Sequence, residues 1–200
     1  MKKHKLLVYE LLSRRRRRIF FVGLLILLTL AVVDLFEPIF GGYWYLAWLA
    51  TAVLFILWFY YGVLMRRAAI QVRETYMRLQ GPLRGVNISY GRISSLSATT
   101  MNHHFPADRL SSGQRKLLKP LYQQTLVLAE MNSYPKAMGR RNLWFTPHIF
   151  SATQDGLLLA VPDWMQLNRD LEVARTRWHE RKQARIGEDK RSLASRILDY

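Results

Sequence analysis

Pro162-Asp163 and Glu180-Arg181-Lys182 together spell a P-D…E-x-K string, the pattern in which two carboxylates and a lysine gather one Mg²⁺ for phosphodiester hydrolysis. Such a site needs both carboxylates close to 2 Å from the same ion, normally from neighbouring strands. Here Asp163 precedes Trp164, Leu167, Leu171, Ala174 and Trp178, which repeat at helical spacing, so both acids fall on one predicted helix. At 1.5 Å per residue, positions 163 and 180 stand roughly 25 Å apart, and the string is read as chance. His103 and His104 point to opposite faces of an extended segment, and His148 and His179 lack H-E-x-x-H or similar spacing. Gly81, Gly85, Gly91 and Gly156 make neither a G-x-G-x-x-G nor a P-loop, and there is no G-x-S-x-G elbow. The chain is therefore read as not an enzyme: no catalytic residue, no cofactor and no metal ligand is expected.

What remains is the chemistry of guanidinium and indole groups at a boundary. Arg14, Arg15, Arg16, Arg17 and Arg18 precede the apolar run 19–36, and Arg66 and Arg67 follow the apolar run 43–65. A hydrocarbon core of about 30 Å takes about 20 helical residues, so the two runs predict a transmembrane helical hairpin over 19–67. The first run is too long for a signal-peptide core and ends without an A-x-A-like site, which marks it as a retained anchor. Between Ile19 and Met65 there is no Lys or Arg, and the connector carries Asp34 and Glu37 alone, which the positive-inside rule reads as two spans with both termini cytoplasmic. Pro38, Gly41 and Gly42 mark the turn. Trp44 and Trp48 at the outer end of the second run, and Trp58 at its inner end, fit the two headgroup levels. These three indoles with Arg14 to Arg18, Arg66 and Arg67 form the expected membrane-interface set. Asp34 lies at the outer end of its run, and no acid lies mid-membrane, which argues against ion or proton transport. Gly23, Thr29, Ala31, Ala47, Ala50, Thr51 and Ala52 allow close helix packing, within one chain or in a homo-oligomer.

Charge is distributed to match. Residues 1–18 carry eight Lys and Arg against Glu10, and the tail from Arg66 carries 22 against 11 acids, within a total of +16. All of it falls on one side, where an anionic inner leaflet attracts nearby cations at about 1 kcal/mol each. Nucleic acid is drawn by the same field, but the chain is anchored beside lipid, which makes the leaflet the favoured partner. The absence of cysteine fits a reducing compartment and excludes disulfides and thiolate metal sites. In the basic leader 1–18, Leu6, Leu7, Leu11 and Leu12 suit a short interfacial helix, and an unstructured stop signal fits equally well.

The remainder predicts a small α+β cytoplasmic domain over 68–185 and a C-terminal tail over 186–200. Ile70 and Val72 alternate with polar residues until the phase slips near Glu74, which suggests a bulge or strong bend before Thr75, Met77 and Leu79. Residues 86–90 alternate cleanly and resume from Arg92 to Thr100. Asp108 or Ser111 can cap a short helix that Pro120 disturbs. Residues 125–131 read as a buried strand, another strand is expected within 143–153, and Asp155-Gly156 signals a hairpin into 157–161. Asp163 with Gln166 can cap the closing amphipathic helix.

Two apolar helices followed at once by antiparallel strands, the stretch Asn87-Ile-Ser-Tyr-Gly-Arg-Ile93, a late Asp-Gly hairpin and a closing helix resemble the bacterial membrane proteins that carry a pleckstrin-homology-like domain. That resemblance implies a partly open barrel of seven strands in a plasma-membrane protein, a binding or scaffolding module near the inner leaflet without a cofactor and often without an assigned partner; an unidentified protein partner is expected here. Five or six strands are countable here, and residues 106–124 interrupt them. Arg66, Arg67, Arg84, Arg140 and Arg141 are the candidates for a basic lipid-facing surface. The competing reading is a membrane-tethered nucleic-acid-binding or hydrolytic domain using the same surface.

Overall fold

The computed structural model describes residues 2–37, 41–138 and 145–198, with 188–198 described by their backbone alone. The protein is an α+β mixture of two open antiparallel sheets and a long C-terminal helix. Lys2–Lys5 (β1) pairs with Ala69–Val72 (β2), β2 with Tyr76–Gln80 (β3), and β3 with Gly85–Ser89 (β4). In the second sheet Thr125–Met131 (β6) lies between Ile93–Thr100 (β5) and Gly156–Leu159 (β7). No ladder joins the sheets among the described residues, so a closed barrel is not what the strands form.

The leader is neither an interfacial helix nor a frayed stop signal. Lys2–Lys5 is an edge strand, and helix α1 (Leu7–Val33) begins inside the body, its first N–H bonded to Ala160 O at 2.9 Å. Leu6, Val8, Tyr9 and Leu12 are all at most 7% exposed and share one core with both sheets and the closing helix. The leader's leucines were bound for protein, and residues 2–13 belong to the α+β body rather than to a separate segment.

Helix α2 (Trp44–Phe59) runs on through a π turn (Tyr60–Leu64) and a 3₁₀ turn (Met65–Arg67). It packs antiparallel on α1: Ser13 reaches Tyr61, while Gly23, further along, faces Leu54. Trp44–Arg67, with a mean hydropathy of 1.9 and only 17% of its apolar window buried, is the one helix among the described residues long and apolar enough to cross a membrane. The expected second span is not matched. α1 stops at Val33, so its apolar part is residues 19–33, about 22 Å of helix. Pro38 lies outside the described residues.

The phase slip near Glu74 is a reversal and not a bulge: β2 and β3 form a hairpin with Ile70 opposite Leu79 and Val72 opposite Met77, which puts all four side chains toward one face. Gly91 turns the chain between sheets. Tyr90, fully buried, donates to Arg73 O at 2.7 Å, and Gly91 lies under the Trp178 ring. Ser111 caps α4 (Ser112–Leu118) in a capping box with Gln114, after which Pro120 converts the chain to a 3₁₀ turn. α3 is the single turn Met101–His104. The Asp155-Gly156 turn brings Phe150 opposite Leu157 through one isolated bridge, whereas β7 takes its ladder from β6. No strand is described within 143–153, of which 143 and 144 lie outside the described residues. Asp163 Oδ1 accepts from Gln166 N at 2.9 Å and starts α5 (Trp164–Leu198), whose Leu167, Leu171 and Ala174 enter the core. Because α5 is continuous from Trp164, Asp163 at its start and Glu180 within it stand about 25 Å apart along the axis, too far to share an ion.

Candidate membrane-interface site

Five consecutive arginines at 100° per residue must point all round a helix, and each meets a different neighbour. Arg15 donates to Gly113 O at 3.0 Å and ties α1 to α4. Arg16 donates to the Tyr61 hydroxyl and stands 5.1 Å from that ring's centroid. Arg17 lies 5.9 Å from the Trp58 ring. Arg14 approaches Glu10 at 3.7 Å, both exposed, a pairing worth little. Arg18 is exposed.

The inner end of α2 supplies the aromatic half. Phe20 stacks on Tyr61 at 5.2 Å, and Phe21 and Phe55 flank Trp58 at 6.2 and 5.9 Å. A π turn leaves one extra residue in the helix and displaces a carbonyl from the ladder. Ser13 Oγ donates to Tyr61 O at 2.6 Å and fills that vacancy, while buried Gly62 faces the Arg17 stem, where a Cβ would sit in ordinary contact 3.7 Å from Arg17 Cδ. Residue types place Trp58 at the inner headgroup level but carry no signal for the π turn, which depends on the contact of Ser13 with Tyr61 across two helices.

Several clefts open on this collar, and two are lined chiefly by its arginines and α1. One, of about 390 Å³, is lined by Arg14, Arg17, Arg18, Phe21 and Arg66. The other, about 510 Å³, lies between α1 and α4 with Arg15, Arg16, Ile19 and His148 in its wall. Burial lowers the His148 pKa from its ordinary value, so the ring is neutral and cleft cations meet no added charge there. Of the remaining expected residues, Arg67 is exposed and lines neither cleft; Trp44 and Trp48 are exposed at the far end of α2, 55% and 37%, away from the collar. Arg84 is exposed beside the β3–β4 turn, where Gly81 N donates to Arg84 O at 2.8 Å, and Arg140 and Arg141 lie outside the described residues. Asp34 is buried at the C-terminal end of α1 rather than reaching outward.

A second polar cluster was not anticipated. His104 Nε2 sits 3.1 Å from Thr99 Oγ1, and its Nδ1 lies 3.0 Å from both Ser151 Oγ and Thr153 Oγ1. Burial, and secondarily His103, lowers the His104 pKa. Although serine and imidazole are in contact, Ser151 is 1% exposed and its Oγ accepts from Thr153 N and Gln154 N, so the cluster pins α3 to the β7 hairpin. Among the described residues no group of three His, Cys, Asp or Glu is placed to hold a metal.

Fold and site together define an α+β protein whose basic and aromatic collar divides a packed body from an exposed apolar helix pair. Comparison with protein-family models, with curated proteins and with solved structures found no match.

Proposed function

We propose that the chain is a membrane-anchored, non-catalytic binding or scaffolding module, held by two spans with its body and both termini on the cytoplasmic side. The observation that carries this reading is the sharp change of environment at the collar. Below it, α1 buries Val8, Tyr9 and Leu12 in protein; above it, Ile19, Val22, Ile26, Leu49, Val53 and Ile56 are 49–64% exposed. Water does not tolerate so large an apolar face on a folded body. Strand pairing supports an even number of crossings, because β1 and β2 flank the helix pair and belong to one sheet. The short apolar part of α1 is accommodated by Arg18 reaching to the headgroups and by local thinning of the bilayer. Six antiparallel strands after the helix pair, joined by β1 from the leader, and a C-terminal helix support an open pleckstrin-homology-like body of the bacterial kind, and the basic surface supports an anionic leaflet as one partner, with a protein as the other.

The chain has no cysteine, so single introduced thiols report topology cleanly. In intact spheroplasts a membrane-impermeant maleimide labels Glu37→Cys, and labels Asp108→Cys only after lysis. Alkaline carbonate leaves the protein in the pellet. Full extraction by carbonate, or equal labelling of the two positions before lysis, refutes the reading.

A further inference from the structure

We infer that the cleft between Arg14, Arg17, Arg18 and Arg66 is a specific site for the headgroup of an anionic glycerophospholipid, best filled by one with two phosphodiesters; this rests on the membrane-anchored reading above. Four arginines and Phe21 line it and no carboxylate does, while Glu10 lines the adjoining cleft with Arg14 and Arg66. Neighbouring cations of one sign repel, and an arrangement like this is ordinarily relieved by an acid. Here relief is slight. Arg18 and Arg66 have no hydrogen-bond or ion-pair partner among the described residues, Arg17 has the face of Trp58, and Arg14 has only the loose contact with Glu10.

The position selects the ligand. Arg66 comes from the end of α2 and the other three from α1, so the cleft straddles the junction of the two helices. One turn further along α1, Phe21, Val22 and Leu25 are 44–54% exposed and continue upward from the cleft as an apolar wall. A ligand fitting both parts has an anionic head and acyl chains. Guanidinium forks bind phosphate oxygens in pairs, so four of them match two phosphodiesters. About 390 Å³ holds such a head, given that a water molecule occupies about 30 Å³. Free phosphate or a nucleic-acid backbone offers the same oxygens but leaves the apolar wall unused.

The test uses the full chain in mild non-ionic detergent, with retained diphosphatidylglycerol titrated by native mass spectrometry against phosphatidylcholine. Each lost guanidinium should weaken retention about fivefold. Arg17→Gln/Arg18→Gln/Arg66→Gln therefore loses on the order of a hundredfold, and Arg18→Gln/Arg66→Gln, which removes two side chains with no role in folding, about twenty-five-fold. The same loss of charge on α5, Arg169→Gln/Arg177→Gln/Lys182→Gln, changes retention less than twofold. Equal weakening by the cleft and α5 variants overturns the inference in favour of bulk attraction, and unchanged retention in the double variant overturns it outright. Displacement of the lipid by millimolar glycerophosphate or by an oligonucleotide, at the affinity of the lipid itself, assigns the cleft to those ligands and also overturns it. Carbonate extraction separates the two layers: a chain that stays integral but keeps its lipid in the double variant refutes the cleft alone, whereas an extracted chain refutes the anchored reading.

Discussion

Gly91→Ala should destabilise the body through one ring. A Cβ built on Gly91 stands 2.5 Å from Trp178 Cη2 and 3.1 and 3.2 Å from Cζ2 and Cζ3, and these are its three nearest atoms. Carbon contacts are comfortable at about 3.5–4.0 Å, so the indole must retreat by about 1 Å from a surface it shares with the core. Forced repacking of this kind costs about 1–3 kcal/mol. The backbone is no obstacle, since Gly41 is the glycine with positive φ among the described residues, and alanine restricts the unfolded chain by about 0.4–1 kcal/mol in favour of folding. The net expectation is a loss of about 1–2 kcal/mol. In a Trp178→Ala background the ring is gone and the same Gly91→Ala change becomes stabilising by about 0.4–1 kcal/mol, a coupling of about 1.5–3 kcal/mol. Amide hydrogen exchange across β4 and β5 of the full chain in mild detergent measures all four corners of the cycle. An identical effect of Gly91→Ala in both backgrounds would refute the steric argument and with it the seating of α5 on the sheet corner.

Three further outcomes follow from the same packing. Burial holds His104 and His148 below the ordinary histidine range, so the folded state binds fewer protons than the unfolded one; stability is complete above about pH 6.5 and falls as pH drops below it, which denaturation midpoints at pH 8, 6.5 and 5 will show and which His104→Gln should flatten. Tyr9→Ala removes a 1% exposed side chain whose hydroxyl accepts from Thr146 N at 3.3 Å, and should cost about 3–5 kcal/mol, while exposed Lys3→Ala should stay within about 0.5 kcal/mol by the same exchange measurement. Ser13→Ala leaves the Tyr61 carbonyl of the π turn without its donor and should cost about 1–3 kcal/mol, read as faster exchange confined to residues 60–64.

Much of the body could be read from local pattern. Asp163 and Ser111 act on neighbours three residues away and behave as their types demand, whereas Asp155-Gly156, expected as a hairpin turn between two strands, leaves one isolated bridge, Phe150 opposite Leu157, and Gly156 already belongs to β7. Residues 125–131 carried a run too apolar for anything but a central strand, and β6 is flanked on both sides. β1 was illegible for the opposite reason. Lys2–Lys5 has no apolar alternation, and it is a strand because β2 offers an open edge more than sixty residues away. The slip at Glu74 was visible, but a bulge and a reversal produce the same local pattern, and only the pairing of Ile70 with Leu79 separates them. The collar arginines were legible as a charge block; that Arg66 joins Arg14, Arg17 and Arg18 in one cleft depends on the axial register of two helices, which no local pattern encodes.

That register has a mechanical meaning. α1 and α2 leave the body from adjacent, hydrogen-bonded strands, so any axial slide of one helix past the other is a shear on the β1–β2 ladder. The smallest permitted slip is one residue, about 3.3 Å, and it would turn His4 outward from Asp170, 3.4 Å away on α5, while driving Lys3 and Lys5 toward the core. The sheet therefore acts as a clasp on the helix pair: the β1–β2 ladder opposes an axial slide of one helix past the other, and leaves a tilt of the pair as a whole as the motion that breaks no ladder bond.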